Sequence, residues 1–470
     1  MFQLVPDNPT GLRFVQQAQQ RLREARLTTP VGSVVRVAGL TIESLGPKAA
    51  LGDVCHIRCA SGREISVEVV GFHNQNLILM PLDTLDGLCP GDEVRAAPQR
   101  RRVPLASGLA GRVIDALGRA MDGGPAPQWI TPTGDGAVPN PLSRARIQQP
   151  LITGIRAIDS FTPLGKGQRV GIFAGSGVGK STLLGMIARR SDADINVVAL
   201  IGERGREVRE FLENDLSEEG RARSIVIVAT ADQPALLRVK AASLALQISE
   251  QLRDEGRKVL LMMDSVTRFA MAQREIGLAV GEPPTARGYT PSVFAALPRL
   301  LERAGNSDKG SITGIFTVLV EGDDLTEPIA DATRSILDGH IVLTRELADR
   351  NHWPAIEVLG SISRLNRDLL GPDQIVLQGE ARELLALHRQ NRDLIGVGAY
   401  VPGSNPRLDR AIATLPHLEA FLRQSQTESP ATAPLWELLA QALRQGMTPP
   451  GAPPGDRSRP LGVFRAATAR

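Results

Sequence analysis

The sequence predicts an α/β protein whose centre is a mostly parallel sheet covered by helices on both faces, with a small β-barrel ahead of it and a helical domain behind. Three observations lead there. Between about residues 169 and 345 the apolar runs RVGIF, INVVALIG, SIVIVAT, KVLLMMD, GSITGIFTVLV and HIVLTREL alternate with helical stretches, and uninterrupted apolar strands belong to sheets buried on both faces. From Val31 to about Arg95 the runs SVVRVAGLTI, VCHIRCA, EISVEVVGF and LILMPL are short and separated by glycine and polar turns, as in a small barrel. Beyond about Gly371 the periodicity becomes helical, as in QGEARELLALHRQN and PRLDRAIATLPHLEAFLRQ.

Residues 1–27 contain TGLRFVQQAQQRLREARL, which sets Leu12, Val15, Gln19 and Leu22 near one face of an arginine-rich amphipathic helix. Such a helix suits docking on a partner or on an acidic membrane surface. Residues 28–98 form the barrel, where Phe72 stands as the single aromatic between Val31 and Arg95. A barrel that binds single-stranded nucleic acid needs stacking aromatics, so no nucleic-acid partner is expected. The run Arg100 to Arg102 and the turn-rich GRVIDALGRAMDGG open the central domain, 99–370, and a helical domain follows at 371–425. Residues 426–470 carry seven prolines and one apolar helix candidate, PLWELLAQALRQ, and are expected to be a flexible tail.

Bulk properties narrow the classes. With 42% hydrophobic and 22% charged residues over 470 positions the composition is that of a globular chain. No run approaches the eighteen or so apolar residues of a membrane span, and MFQLVPDNPTG lacks the basic and apolar regions of a secretory signal. Three cysteines, Cys55, Cys59 and Cys89, are too few for a disulfide scaffold and fit a reducing compartment, so a cytoplasmic location is expected. Cys55-His56-x-x-Cys59 has no second ligand cluster at zinc-like spacing. A net charge of +3 is too small to imply nucleic acid.

The chemistry concentrates in AGSGVGKSTLL, Ala174 to Leu184, between an apolar strand and a helix. Gly175, Ser176, Gly177, Val178 and Gly179 form a turn tight enough for several N–H groups to face one oxyanion, while the helix that begins with Lys180, Ser181 and Thr182 adds its positive end. Lys180 is expected on the β/γ-phosphates and the Ser181 hydroxyl on Mg²⁺, so the loop is expected to grip a polyphosphate with its metal. Ala174 stands where this pattern usually begins with glycine. In a chain with six lysines against 48 arginines, a lysine in the slot that wants a compact ammonium is informative. Asp264 ends the strand KVLLMMD, where a carboxylate holds Mg²⁺ through water. Glu203 ends INVVALIGE, and hydrolysis needs a fixed carboxylate to orient the attacking water. Arg204 is a candidate γ-phosphate contact, with Glu207 tying that loop in place.

Beyond these motifs, IGERGRE, LLMMDSVTRFAMAQREIGLAVGEPPTARGYTPSVFAALPRLLERAG and VEGDDLTEPIADATRSILDGHIVLTREL resemble the flagellar and type III protein-export ATPases, relatives of the catalytic subunits of rotary ATP synthases. The resemblance covers about residues 25 to 425. It implies a RecA-like P-loop ATPase core with an N-terminal β-barrel and a C-terminal helical domain, assembled as a homohexamer. It also implies ATP hydrolysis that energises or regulates protein export, in the cytoplasm at the inner face of the plasma membrane. Implied partners are a stator-like export subunit, export-gate proteins, export substrates and their chaperones. WPAIEVLGSISR is similar to the family signature, and by that resemblance Trp353 stacks on adenine and Arg364 is the arginine finger reaching a neighbouring subunit's γ-phosphate. Glu357 departs from the Asp, Asn or His usual there. GLTIES and YVPGSNPRLDRAI look more like the flagellar branch than the injectisome branch, the alternative. A catalytic subunit of a rotary synthase usually carries an acidic loop in its C-terminal domain, and residues 371–425 show no acidic run.

Overall fold

The computed structural model describes residues 30–97, 102–131, 140, 142, 144–320, 322, 324–428 and 434–446. The amphipathic helix expected in residues 1–27 lies outside them. The chain forms two compact units, one containing the barrel and the other the sheet and the C-terminal helices.

Six antiparallel strands close the barrel, in the order Val31–Ala38, Thr41–Leu45, Asn76–Pro81, Glu64–His73, Val54–Arg58 and Glu93–Ala97. Alternation decides which side chains point inward: Ile65, Val67 and Val69 from one strand, Cys55, Ile57 and Leu79 from its two neighbours, and Val94 from one strand beyond share the core, all almost fully buried. The run SVVRVAGLTI becomes two strands because Gly39, at φ +58°, reverses the chain. Cys55 and Cys59 belong to this core, and burial pushes the Cys55 thiol up to about 11.

The central sheet runs Ile362–Ser363, Gly339–Leu343, Arg169–Ala174, Ser311–Leu319, Lys258–Asp264, Ile195–Ile201, Ser224–Ala229 and Val113–Asp115. Neighbours are parallel except at the Ile362–Ser363 edge, and the short strand Gly305–Asn306 adds antiparallel to Ser311–Leu319. Ile172 and Phe173, Val197 and Val198, Leu260 and Leu261, and Ile315 and Phe316 are adjacent residues that are fully buried or nearly so, which is why these strands are largely apolar rather than apolar at every other position. Parallel strands all end on the same edge, so the loops after Ala174, Ile201 and Asp264 open together.

Behind the sheet, helices Pro372–Gln390, Pro406–Leu422 and Leu435–Gln445 pack through Ala381, Leu384, Leu408, Ala411, Leu418 and Leu439. The third of these lies in the segment expected to be a flexible tail. Leu439, Ala442 and Leu443 sit three and four residues apart, so they form an apolar stripe that is buried against the other two helices.

Candidate active site

The P-loop strand Arg169–Ala174 delivers the chain to the loop, with Ala174 1% exposed and aligned with Leu319 and Leu343 on its two neighbours. Gly177 at φ +79° and Gly179 at φ +80° take left-handed conformations that a side chain would strain, while buried Val178 anchors the turn. Helix Lys180–Arg190 then starts with its unpaired N–H groups toward the loop. The Arg345 guanidinium donates to the Ser176 carbonyl at 3.0 Å and braces the loop from outside.

Three charged groups converge at its mouth. The Lys180 ammonium pairs with the Asp264 carboxylate and lies 3.5 Å from Glu203 Oε1. Sheet register explains the meeting: Leu200 aligns with Asp264, so Glu203 emerges just beyond the neighbouring strand end. The P-loop strand and the Asp264 strand are separated by Ser311–Leu319, whose Thr317 hydroxyl donates to the Asp264 carboxylate at 2.7 Å.

Electrostatics distinguish the members. Burial pushes the Glu203 carboxyl up to about 7; the Lys180 ammonium opposes this, while the Asp264 charge and a hydrogen bond with Glu207 reinforce it. That hydrogen bond in turn holds Glu207 below the usual carboxylate range. Burial works against the Lys180 ammonium, but the Asp264 and Glu203 carboxylates outweigh it and raise its pKa. Glu203 Oε1 is buried without a hydrogen-bond partner among the described residues. Such an oxygen is satisfied by water or a ligand.

The other predicted residues spread out. Trp353 is 37% exposed, donates from Nε1 to Asn351 Oδ1 at 2.9 Å, and lies so close to the loop that a Cβ on Gly179 would come 2.8 Å from its ring. Ser181 follows Lys180 at the helix start, and Thr182 hydrogen-bonds the Asp215 carboxyl. Arg204 faces solvent, its side chain 78% exposed, and pairs with Glu207 at 3.4 Å at the start of helix Gly205–Glu210. Arg364 follows the edge strand, exposed, and its guanidinium makes no hydrogen bond or ion pair among the described residues. Within one chain, therefore, Lys180, Glu203 and Asp264 meet, whereas Arg204 and Arg364 stand apart from them.

Three contributors escaped sequence reasoning. Thr317 lies in an apolar strand that gives no motif. Arg345 follows a strand end and reads as a surface charge. Arg268 packs along Gly202 and exerts its charge on Glu203 and Glu207; its position four residues after Asp264, one helical turn along, was the available signal.

The chain matches the ATP synthase alpha/beta family nucleotide-binding domain over residues 154–363 and the T3SS EscN ATPase C-terminal domain over residues 370–441. It is 54% identical to the flagellum-specific ATP synthase of Bacillus subtilis, covering 85% of this chain and 92% of the relative. With the Salmonella typhimurium protein of the same description it shares 50%, covering 88% and 92%. The SPI-2 type 3 secretion system ATPase of Salmonella typhimurium is 48% identical over 89% and 95%. Among solved structures, the assembled ATPase EscN from the enteropathogenic E. coli type III secretion system superimposes with a TM-score of 0.82 at 42% identity, covering 88% of this chain and 100% of that one. The same protein in complex with its central stalk EscO gives 0.79, also at 42% identity and the same coverage.

Proposed function

The chain belongs to the family of flagellum-specific ATP synthases and type III secretion ATPases, and on that premise we propose how its residues divide the work of ATP hydrolysis. It is an ATPase of hexameric type that serves flagellar protein export. The observation that carries the chemistry is the convergence of Lys180, Glu203 and Asp264 at the mouth of the phosphate loop.

The loop N–H groups from Gly175 to Gly179 cradle the phosphates, and Lys180 leaves its carboxylates for the β/γ-oxygens. The donor set suits Mg²⁺: the Ser181 hydroxyl and the Asp264 carboxylate are oxygen ligands, and Asp264 already holds a cation in the Lys180 ammonium. When bound, the metal neutralises charge on the transferring phosphoryl group. Glu203, whose buried Oε1 accepts no hydrogen bond among the described residues, orients the attacking water. Trp353 stacks on the adenine beside Gly179. Arg364, whose guanidinium makes no hydrogen bond or ion pair among the described residues, completes a neighbour's site as an arginine finger, and Arg204 turns inward to the γ-phosphate once nucleotide is bound.

The partners proposed are a stator-like export subunit, export-gate proteins, export substrates and their chaperones, together with a central stalk of the kind that EscN binds in EscO. The place of action proposed is the cytoplasm at the inner face of the plasma membrane. Among the described residues no helix is long and apolar enough to cross a membrane, so attachment there would be peripheral.

The test separates binding from chemistry. Lys180→Ala is expected to weaken both nucleotide affinity and turnover, whereas Glu203→Gln keeps affinity within a few-fold and stops hydrolysis. Near wild-type turnover by Glu203→Gln would reject the assignment of the water-positioning group.

A further inference from the structure

At the far end of the P-loop helix, about 15 Å along its axis from Lys180, lies a cavity of about 750 Å³. Arg156, Arg189 and Arg190 belong to its polar wall, with Asp159, Glu219 and Glu428, and Leu370, Leu438 and Trp436 form part of its apolar wall. That volume is in the range of small-molecule sites, and an apolar lining with a few convergent polar groups is their usual chemistry.

The arginines are not equally satisfied. Arg156 pairs with Glu428 and also donates to the carbonyls of Phe421 and Arg423. Arg190 Nη2 donates to the carbonyls of Ser425, Gln426 and Glu428, at 3.2, 3.0 and 2.7 Å, but its Nη1 is buried without a partner among the described residues. Burial first, then the Arg189 and Arg156 charges, push the Arg190 pKa down against the pull of Glu428. Of the remaining acids on the wall, Asp159 faces inward and accepts from the Thr153 N–H and hydroxyl and the Gly154 N–H; Glu219 is the other. Arg190 thus lines the cavity beside an apolar surface that includes an indole, and one of its guanidinium nitrogens is buried without a partner among the described residues.

We propose that this cavity is a second ligand site, for a small amphiphilic anion whose carboxylate or phosphate meets Arg190 and whose apolar body lies against Trp436, Leu370 and Leu438. Its occupant reaches the nucleotide site through Gln424. That side chain is 8% exposed and lines the cavity; it accepts from the Arg156 N–H at 3.0 Å and donates to the Gly154 carbonyl at 2.9 Å. Its backbone N–H donates to the Trp353 carbonyl at 2.8 Å, so a ligand that shifts Gln424 shifts the indole beside Gly179. This coupling, unlike the site itself, rests on the adenine-stacking role of Trp353.

Calorimetry on the full chain with octanoate, octanol and inorganic phosphate tests the site. Saturable binding of octanoate at least tenfold tighter than of octanol or phosphate is expected, abolished by the cavity-filling Leu438→Trp and weakened several-fold by Arg190→Lys. Equal binding of octanol, or octanoate binding unchanged in both variants, overturns the proposal. Steady-state kinetics with saturating octanoate tests the coupling: KM for ATP is expected to move at least threefold in the parent and to stay fixed in Leu438→Trp, which retains its basal kcat. Octanoate binding without a change in KM overturns the route through Gln424, and the Trp353 assignment is judged separately by the Trp353 substitutions described below.

Discussion

A carboxylate that orients water works best when its pKa lies close to the working pH, and Glu203 is held there by burial and by Asp264 against the pull of Lys180. Two signs follow. For catalysis the ionised form is needed, so kcat/KM, which reports the free enzyme, should fall as pH drops through about 7. A profile flat from pH 8 to pH 5.5 would remove Glu203 from that role. For stability, a folded-state pKa raised from 4.5 to about 7 means that the folded chain holds this proton more tightly than the unfolded one. The cost of ionising it therefore grows between those values and is fully present above the higher. Its upper bound is roughly 3 kcal/mol at about 1.4 kcal/mol per unit. Glu203→Gln should accordingly melt higher than the parent at pH 8, with the difference shrinking toward pH 5, when both are scanned without nucleotide. The place of Glu203 beside Lys180 was legible from its position after an apolar strand. Its neighbours Thr317 and Arg268 were not, because side chains that converge from separate strands and helices leave no local spacing.

At the scale of elements, the phosphate loop and the Trp353 segment fit each other only because Gly179 lacks a side chain. A methyl group there would meet the indole at 2.8 Å and also strain a backbone at φ +80°. Gly179→Ala should therefore lower ATP affinity more than its size suggests. Stacking on a base is worth about 1–3 kcal/mol, so Trp353→Ala should weaken ATP binding by roughly tenfold or more while Trp353→Phe keeps most of it. Titration with a fluorescent ATP analogue measures both, and unchanged affinity in Trp353→Ala would end the stacking assignment. The helix Leu435–Gln445 supplies a separate check. Leu439 is fully buried, so Leu439→Ala should cost about 2–4 kcal/mol, seen as a lower melting temperature. Strand periods made the barrel and the sheet easy to anticipate. This last helix was harder, because the prolines around it read as a tail and its apolar stripe gains meaning only against helices Pro372–Gln390 and Pro406–Leu422.

For the whole molecule, the sequence foretold the core and its flanking domains, yet one chain does not bring all the expected catalytic groups together. Lys180, Glu203 and Asp264 meet, while Arg364 lies exposed after the edge strand with no partner for its guanidinium among the described residues. A charge placed in that way is explained if its target belongs to the next subunit of a ring. Each site is then incomplete alone, and specific activity should rise more than proportionally with protein concentration as subunits associate. An arginine finger contributes roughly 10³ to 10⁵ in turnover in phosphoryl-transfer systems, so Arg364→Ala should bind ATP and hydrolyse it poorly. The decisive measurement mixes Arg364→Ala with Glu203→Gln. Neither chain alone makes a competent site, but in a mixed ring some sites pair an intact Glu203 from one chain with an intact Arg364 from the next, and activity should return. Rings shown by mass measurement to contain both chains, and still inactive, would mean that Arg364 acts within its own subunit or not at all.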